Sequence, residues 1–184
     1  MFWKSLSALA AIRRVSMYMP TRVLLALCIY NAFVLPHFNY CCVVWHFCSE
    51  SMSINLQWVQ NYAMRIILKK PPRTSSEVCL HLLGWLNLYQ HRCISLLWQV
   101  HKCILHLAPE SLCSKFMTNN QVGYSSTRGK DNIHLVHPKT DYGRNSFSFK
   151  GAMLYNKLPL ATRQLQSCAV FQHACATYLF WNCN

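Results

Sequence analysis

Apolar residues recur at helical spacing along most of this chain. Leu6, Leu9, Ile12 and Val15 fall at every third position between Ser5 and Tyr18, marking one face of a helix whose other side carries Arg13 and which Pro20 ends. A second helix is expected from Thr21 through Leu24, Leu25, Cys28 and Ile29 toward Val34, before Pro36 bends the chain. The run from His37 to Trp45 is ambiguous between helix and extended chain. Leu56, Val59, Tyr62, Ala63, Ile66 and Ile67 then form a stripe at spacings of three and four, with Gln57, Gln60, Asn61 and Arg65 on other faces. That pattern predicts an amphipathic helix. Lys69 and Lys70 close it, where positive charge complements the helix dipole, and Pro71-Pro72 stops it. A short helix from Ser75 to Leu83 ends at Gly84. A longer one follows, carrying Tyr89, Cys93, Leu96, Leu97, Val100, Ile104 and Leu107, and is closed by Pro109. Helices joined by short connections over residues 1–117 predict a small antiparallel bundle.

The pattern changes after Met117. Residues 119–132 are rich in Asn, Ser, Gly and charge, which predicts a loop. Ile133-His134-Leu135-Val136 and Ser146-Phe147-Ser148-Phe149 cluster or alternate like short strands, with Pro138 and Gly143 between them, so a two-stranded hairpin is expected. Ser167 to Phe180 returns to helical spacing. The predicted architecture is mainly α: a helical bundle to residue 117, then a small α+β region over residues 118–184.

Composition narrows the function classes. With 53% hydrophobic and 12% charged residues among 184, the chain can bury a core and is unlike a disordered polymer. Eighteen Lys and Arg against five acids give a formal charge of +13, which favours a polyanionic partner: nucleic acid or an anionic membrane surface. The acids Glu50, Glu77, Glu110, Asp131 and Asp141 are scattered, so the sequence offers no clustered carboxylates of the kind a two-metal polymerase or nuclease site requires. The strongly apolar stretch from Val23 to Pro36 is interrupted by Asn31. It falls short of the roughly 20 residues of a spanning helix, so no transmembrane segment is expected. The odd count of eleven cysteines, with no convincing signal peptide, reads as reduced thiols in an intracellular protein of the nucleus or cytoplasm.

Several blocks then fall in a recognisable order. Val34-Leu35-Pro36-His37-Phe38-Asn39-Tyr40-Cys41 with Val44-Trp45 resembles the region that follows the palm in non-LTR retrotransposon reverse transcriptases. Leu56-Gln57, Val59-Gln60-Asn61, Ala63 and Arg65-Ile66-Ile67 are similar to that family's thumb helix, and Leu83-Gly84-Trp85-Leu86, Leu88 and Arg92 to the next block. Thr127-Arg128, Pro138-Lys139-Thr140, Tyr142-Gly143, Ser146-Phe147-Ser148-Phe149, Gly151-Ala152 and Asn156-Lys157-Leu158-Pro159 continue the order, so the resemblance covers nearly the whole chain. The family's aromatic-x-Asp-Asp palm motif does not occur in this sequence. The resemblance therefore implies a non-catalytic thumb and downstream fragment that grips primer-template or element RNA. Its partners would be RNA or an RNA–DNA hybrid and a palm-containing reverse transcriptase segment, with no cofactor of its own. The chain departs from the family pattern at Asn39, where an Asp is usual, at Trp58 and Tyr62, where basic residues are typical, at Asn87 in place of a proline, and at Tyr155 in place of a tryptophan. An inert relic of such an element, or a membrane-surface protein, are the alternatives.

Candidate nucleic-acid-binding residues are Arg65, Lys69, Lys70 and Arg73 at the thumb-like helix end, with Arg128, Lys130, Lys139, Arg144 and Lys150 downstream. Solvated surface charge is the plain alternative. Trp58, Trp85 and Trp98 could stack on bases, although large rings on helices more often fill a core. His37, Cys41, Cys42, His46 and Cys48, and His91, Cys93, His101, Cys103 and His106, match no usual zinc spacing. Buried thiols and core histidines are the expected reading, and no cysteine carries a local nucleophile signature.

Overall fold

Leu56, Val59, Ala63 and Ile67 are buried along one side of an 18-residue helix, Glu50–Ile67, as their spacing predicts, whereas Gln60, expected on another face, and Met64 are buried with them and Tyr62 and Ile66 are half-buried. This helix anchors the first of two units. The computed structural model describes residues 7, 9–11, 13, 14, 18, 30–123, 129 and 131–182. In chain order the elements are a π-helical turn, Tyr30–Val34, followed by α1 (Leu35–Asn39), α2 (Cys42–Trp45), α3 (Glu50–Ile67), α4 (Ser76–Leu83), α5 (Leu88–Ile104), α6 (Glu110–Cys113), α7 (Asp141–Arg144), α8 (Phe147–Asn156), α9 (Leu160–Arg163) and α10 (Cys168–Asn182). Ser7, Leu9, Ala10, Ala11, Arg13 and Arg14 are also helical, within the first expected helix. Most of the second, residues 21–29, lies outside the described residues. The chain is mainly helical, and the ambiguous stretch from His37 to Trp45 falls largely within α1 and α2.

The chain divides into two compact units, Met1–Tyr89 and Gln90–Asn184. The boundary falls in the first turn of α5, and the compositional change near Met117 lies inside the second unit. In the first unit, Leu9, Tyr30, Val34, Phe38, Leu56, Val59, Ala63, Ile67 and Leu88 form one apolar cluster, with Trp45, Tyr62, Ile66, Leu83 and Trp85 packed against it. Trp85 stacks on Tyr30 with ring centroids 4.4 Å apart. A pair of amides, the buried Gln60 and the half-buried Gln57, ties α3 to the segment after α4. Gln60 Nε2 donates to the Leu86 carbonyl at 2.9 Å, and the Leu88 N–H donates to Gln57 Oε1 at 2.9 Å.

In the second unit, Leu96, Leu97, Val100 and Cys103 of α5 lie in a core with Phe116, Ala152, Tyr155, Phe171 and Cys175. His101 is fully buried there, parallel to Phe171 at 3.8 Å between ring centroids. Its Nε2 lies 2.8 Å from the Leu165 carbonyl and its Nδ1 lies 3.0 Å from Tyr155 Oη. The Leu165 carbonyl can only accept, so Nε2 carries a proton, and the one proton of the Tyr155 hydroxyl faces both Nδ1 and the Arg163 carbonyl, which lies 3.3 Å from Oη.

The expected hairpin is not formed: among the described residues there is no strand pairing between residues 133–136 and 146–149. Ser146-Phe147-Ser148-Phe149 instead opens α8. Ser146 is its N-cap, accepting from the Phe149 N–H at 3.4 Å. Four alternating residues are too few to separate the two periods, and the N-capping serine and the packing of the following turn favour helix. Gly151 makes that packing close: a Cβ there would stand 2.8 Å from Val100 Cγ2. Ile133 forms an isolated antiparallel bridge with Thr118. The Asn156 side chain completes its pairing, accepting from the Ile133 N–H and donating to the Ile133 carbonyl, both at 2.9 Å.

Candidate nucleic-acid interface

The C-terminus of α3 closes through two reversed hydrogen bonds. The Lys69 N–H reaches the Ile66 carbonyl at 3.2 Å and the Lys70 N–H reaches the Arg65 carbonyl at 3.0 Å. Such a closure requires a left-handed residue, ordinarily glycine, and here Lys69 takes it at φ 52°. The cap places two lysines side by side where the helix dipole is negative. Pro71-Pro72 then turn the chain back, and Arg65 Nε donates to the Thr74 carbonyl at 3.1 Å, pinning the loop to the helix.

These residues line one side of a shallow hollow of about 760 Å³, bordered by Arg13, Trp58, Tyr62, Arg65, Ile66, Lys69, Lys70 and Pro72. Four of the eight lining residues are cationic and none is acidic. Two are aromatic: Trp58 and Tyr62 stack at 5.5 Å between centroids with their planes 9° apart. Arg13 Nη1 donates to Tyr62 Oη at 3.5 Å. The surface thus combines planar rings with fixed positive charge.

Of the residues singled out from sequence, Arg65, Lys69 and Lys70 share this hollow, while Arg73 is exposed just beyond its rim residue Pro72. Lys139, Arg144 and Lys150 belong to the second unit. There Arg144 is 3.3 Å from Asp141 and Lys150 Nζ donates to Asn145 Oδ1 at 3.2 Å. A second hollow of about 650 Å³, lined in part by Lys115, His134, Ser146 and Phe149, is bordered by none of these three cations. Arg128 and Lys130 lie outside the described residues.

Arg13 and Tyr62 were not among the sequence candidates, and Trp58 corrects the expectation of a core ring. It is 51% exposed. At about 100° per residue it sits roughly 200° around α3 from Leu56, on the face opposite the core stripe, so its position was readable from the helical wheel. Trp85, by contrast, packs on the first unit's core, and Trp98 lies beneath the Lys102 ammonium at 3.5 Å. Among the described residues no three of His, Cys, Asp and Glu come together to hold a metal ion, and all five acids are exposed. No helix of the described residues is long and apolar enough to cross a membrane.

Comparison with protein-family models, curated proteins and solved structures yields no match to this chain.

Proposed function

We propose that this chain is a non-catalytic nucleic-acid-binding protein of the kind its resemblance implies: the thumb and downstream part of a non-LTR retrotransposon reverse transcriptase, holding RNA or an RNA–DNA hybrid. Polymer chemistry would belong to a palm-bearing segment carrying the catalytic aspartates. The observation that carries the reading is the hollow at the end of α3, where Arg13, Arg65, Lys69 and Lys70 meet without an acid. Phosphates entering it would displace counterions, and the +13 charge of the whole chain would add long-range attraction.

Binding of the monodisperse chain to labelled single-stranded RNA and to an RNA–DNA hybrid across a salt series tests this. Four phosphate contacts on a single strand correspond to a slope of log K against log salt of about −3. The double variant Lys69→Gln/Lys70→Gln would flatten it by about 1.4. Absence of saturable binding by the folded chain at low salt would refute the proposal.

A further inference from the structure

We infer that the hollow at the end of α3 takes an unpaired nucleobase, stacked on Trp58, with the flanking phosphates on Arg65, Lys69 and Lys70, so that its ligand is single-stranded rather than duplex nucleic acid. This deepens the nucleic-acid reading above and rests on it. A surface that grips only the backbone of a duplex needs cations along the helix, because the faces of paired bases are covered by their neighbours. Here the outward side of α3 carries rings at two consecutive turns, Trp58 and Tyr62, before the cations begin.

The geometry suits a stacking platform. Trp58 and Tyr62 are parallel within 9° and Tyr62 packs against the first unit's apolar cluster, so the Trp58 ring stacks on a partner that is itself anchored. Of the four tryptophans whose side chains are described, Trp45, Trp85 and Trp98 are half-buried, and Trp58 is the exposed one. An indole left half in water gains from covering by a flat, weakly polar partner, and every base offers such a face. Arg65 lies seven residues on, about 10 Å along the helix axis, and Lys69 and Lys70 follow directly at the cap. A short strand running along α3 toward the Pro71-Pro72 turn would therefore meet the Trp58 and Tyr62 rings, with Arg13 beside Tyr62, before Arg65, Lys69 and Lys70.

The test uses the full chain and four probes: a short oligouridylate, a strand of equal length made of abasic residues, a blunt RNA duplex, and anionic phospholipid vesicles. Oligouridylate is expected to bind at least roughly five-fold more tightly than the abasic strand and than the duplex, and to quench tryptophan fluorescence. Trp58→Ala should reduce oligouridylate to the abasic level while leaving the abasic strand unchanged, and Trp58→Phe should keep most of the difference. Trp58→Lys, which replaces the ring with a cation, should erase base dependence and improve duplex binding. Equal affinity for oligouridylate and abasic strand, unaltered by Trp58→Ala, would overturn the stacking inference and leave a salt-dependent backbone grip standing. Binding to none of the strands would remove both readings, and binding to vesicles alone would reassign the surface to a membrane.

Discussion

The side-chain oxygen of Gln57 accepts a hydrogen bond from the backbone N–H of Leu88 at 2.9 Å, so the first N–H of α5 is capped from the middle of α3. That N–H has no partner within its own helix and would otherwise be left orphaned in a largely apolar setting. Gln57 is itself aligned, its Nε2 donating to Gln60 Oε1 at 2.8 Å and to Asn61 Oδ1 at 2.9 Å. Gln60 in turn holds the Leu86 carbonyl. Gln57 and Gln60 of α3 and the turn from Leu86 to Leu88 are therefore two halves of one hydrogen-bonded joint.

Breaking this joint should be costly on either side. Gln60 is 3% exposed, so Gln60→Leu leaves the Leu86 carbonyl without its partner and is expected to destabilise the chain by about 1–3 kcal/mol. Gln57→Leu should cost a similar amount through the Leu88 N–H. The double variant should cost less than the sum, because each glutamine aligns the other. Urea denaturation of the four proteins measures all three quantities, and strict additivity would argue against a coupled joint.

Lys69 is expected to trade stability for binding. A side chain at φ 52° is strained by about 1 kcal/mol relative to glycine, so Lys69→Gly should raise stability by roughly 0.5–1 kcal/mol. It also removes a cation from the hollow and should weaken nucleic-acid binding. His106 provides the control: it closes α5 in the same way, at φ 55°, with the Leu107 N–H on the Lys102 carbonyl at 2.9 Å, and it does not line the hollow. His106→Gly should stabilise without changing affinity. Thermal melts and one binding curve per variant separate the two effects.

Helix positions were legible wherever the apolar stripe was long. The stripe from Leu56 to Ile67 marks α3 and most of the face it buries, although the buried Gln60 was expected on another face, and Gly84 marks the end of α4 because the chain there needs a left-handed residue. The hairpin was misread because Ser146 to Phe149 offers only four residues of alternation, and the true partners of Ile133 are fifteen residues before it and twenty-three after it. Such pairing leaves no local trace. The site was half legible: Lys69 and Lys70 announce themselves as a charge pair before two prolines, but Arg13 reaches Tyr62 across forty-nine residues of chain. Trp58 was misjudged from residue type, although its place on the helical wheel already set it apart from the core.

The cysteines should react in an order set by burial. Cys41 is exposed, whereas Cys79, Cys93, Cys103, Cys113 and Cys175 are buried. Burial also pushes the Cys103 thiol up to about 11 and the Cys175 thiol up to about 12, which suppresses the nucleophilic thiolate at neutral pH. Brief treatment of the native chain with iodoacetamide, followed by peptide mass mapping, should modify Cys41 and spare Cys103 and Cys175. Both should become reactive in urea. Rapid native labelling of Cys175 would contradict the packing of α10.

Acid should weaken the fold through its buried histidines. Burial lowers the pKa of both His101 and His91 from the usual 6.5, and for His101 the bond to the Leu165 carbonyl only partly opposes this. In the unfolded chain these rings take up protons near pH 6.5 while the folded chain resists, so the unfolded state binds more protons in that range. Their contribution to stability is therefore complete above about pH 6.5 and is lost as pH falls through that value toward the lower folded pKa. The slope reaches at most about 1.4 kcal/mol per pH unit for each histidine. Replacing the ring by His101→Phe should lower stability at neutral pH, because the Leu165 carbonyl loses its partner and the Tyr155 hydroxyl keeps only the Arg163 carbonyl, yet flatten the decline on the acid side. Urea midpoints of both proteins between pH 7.5 and pH 5, about one unit on the alkaline side of 6.5 and somewhat more on the acid side, measure this. Parallel curves would mean that His101 does not titrate differently in the two states, and that its stacked, doubly bonded position tolerates a charge.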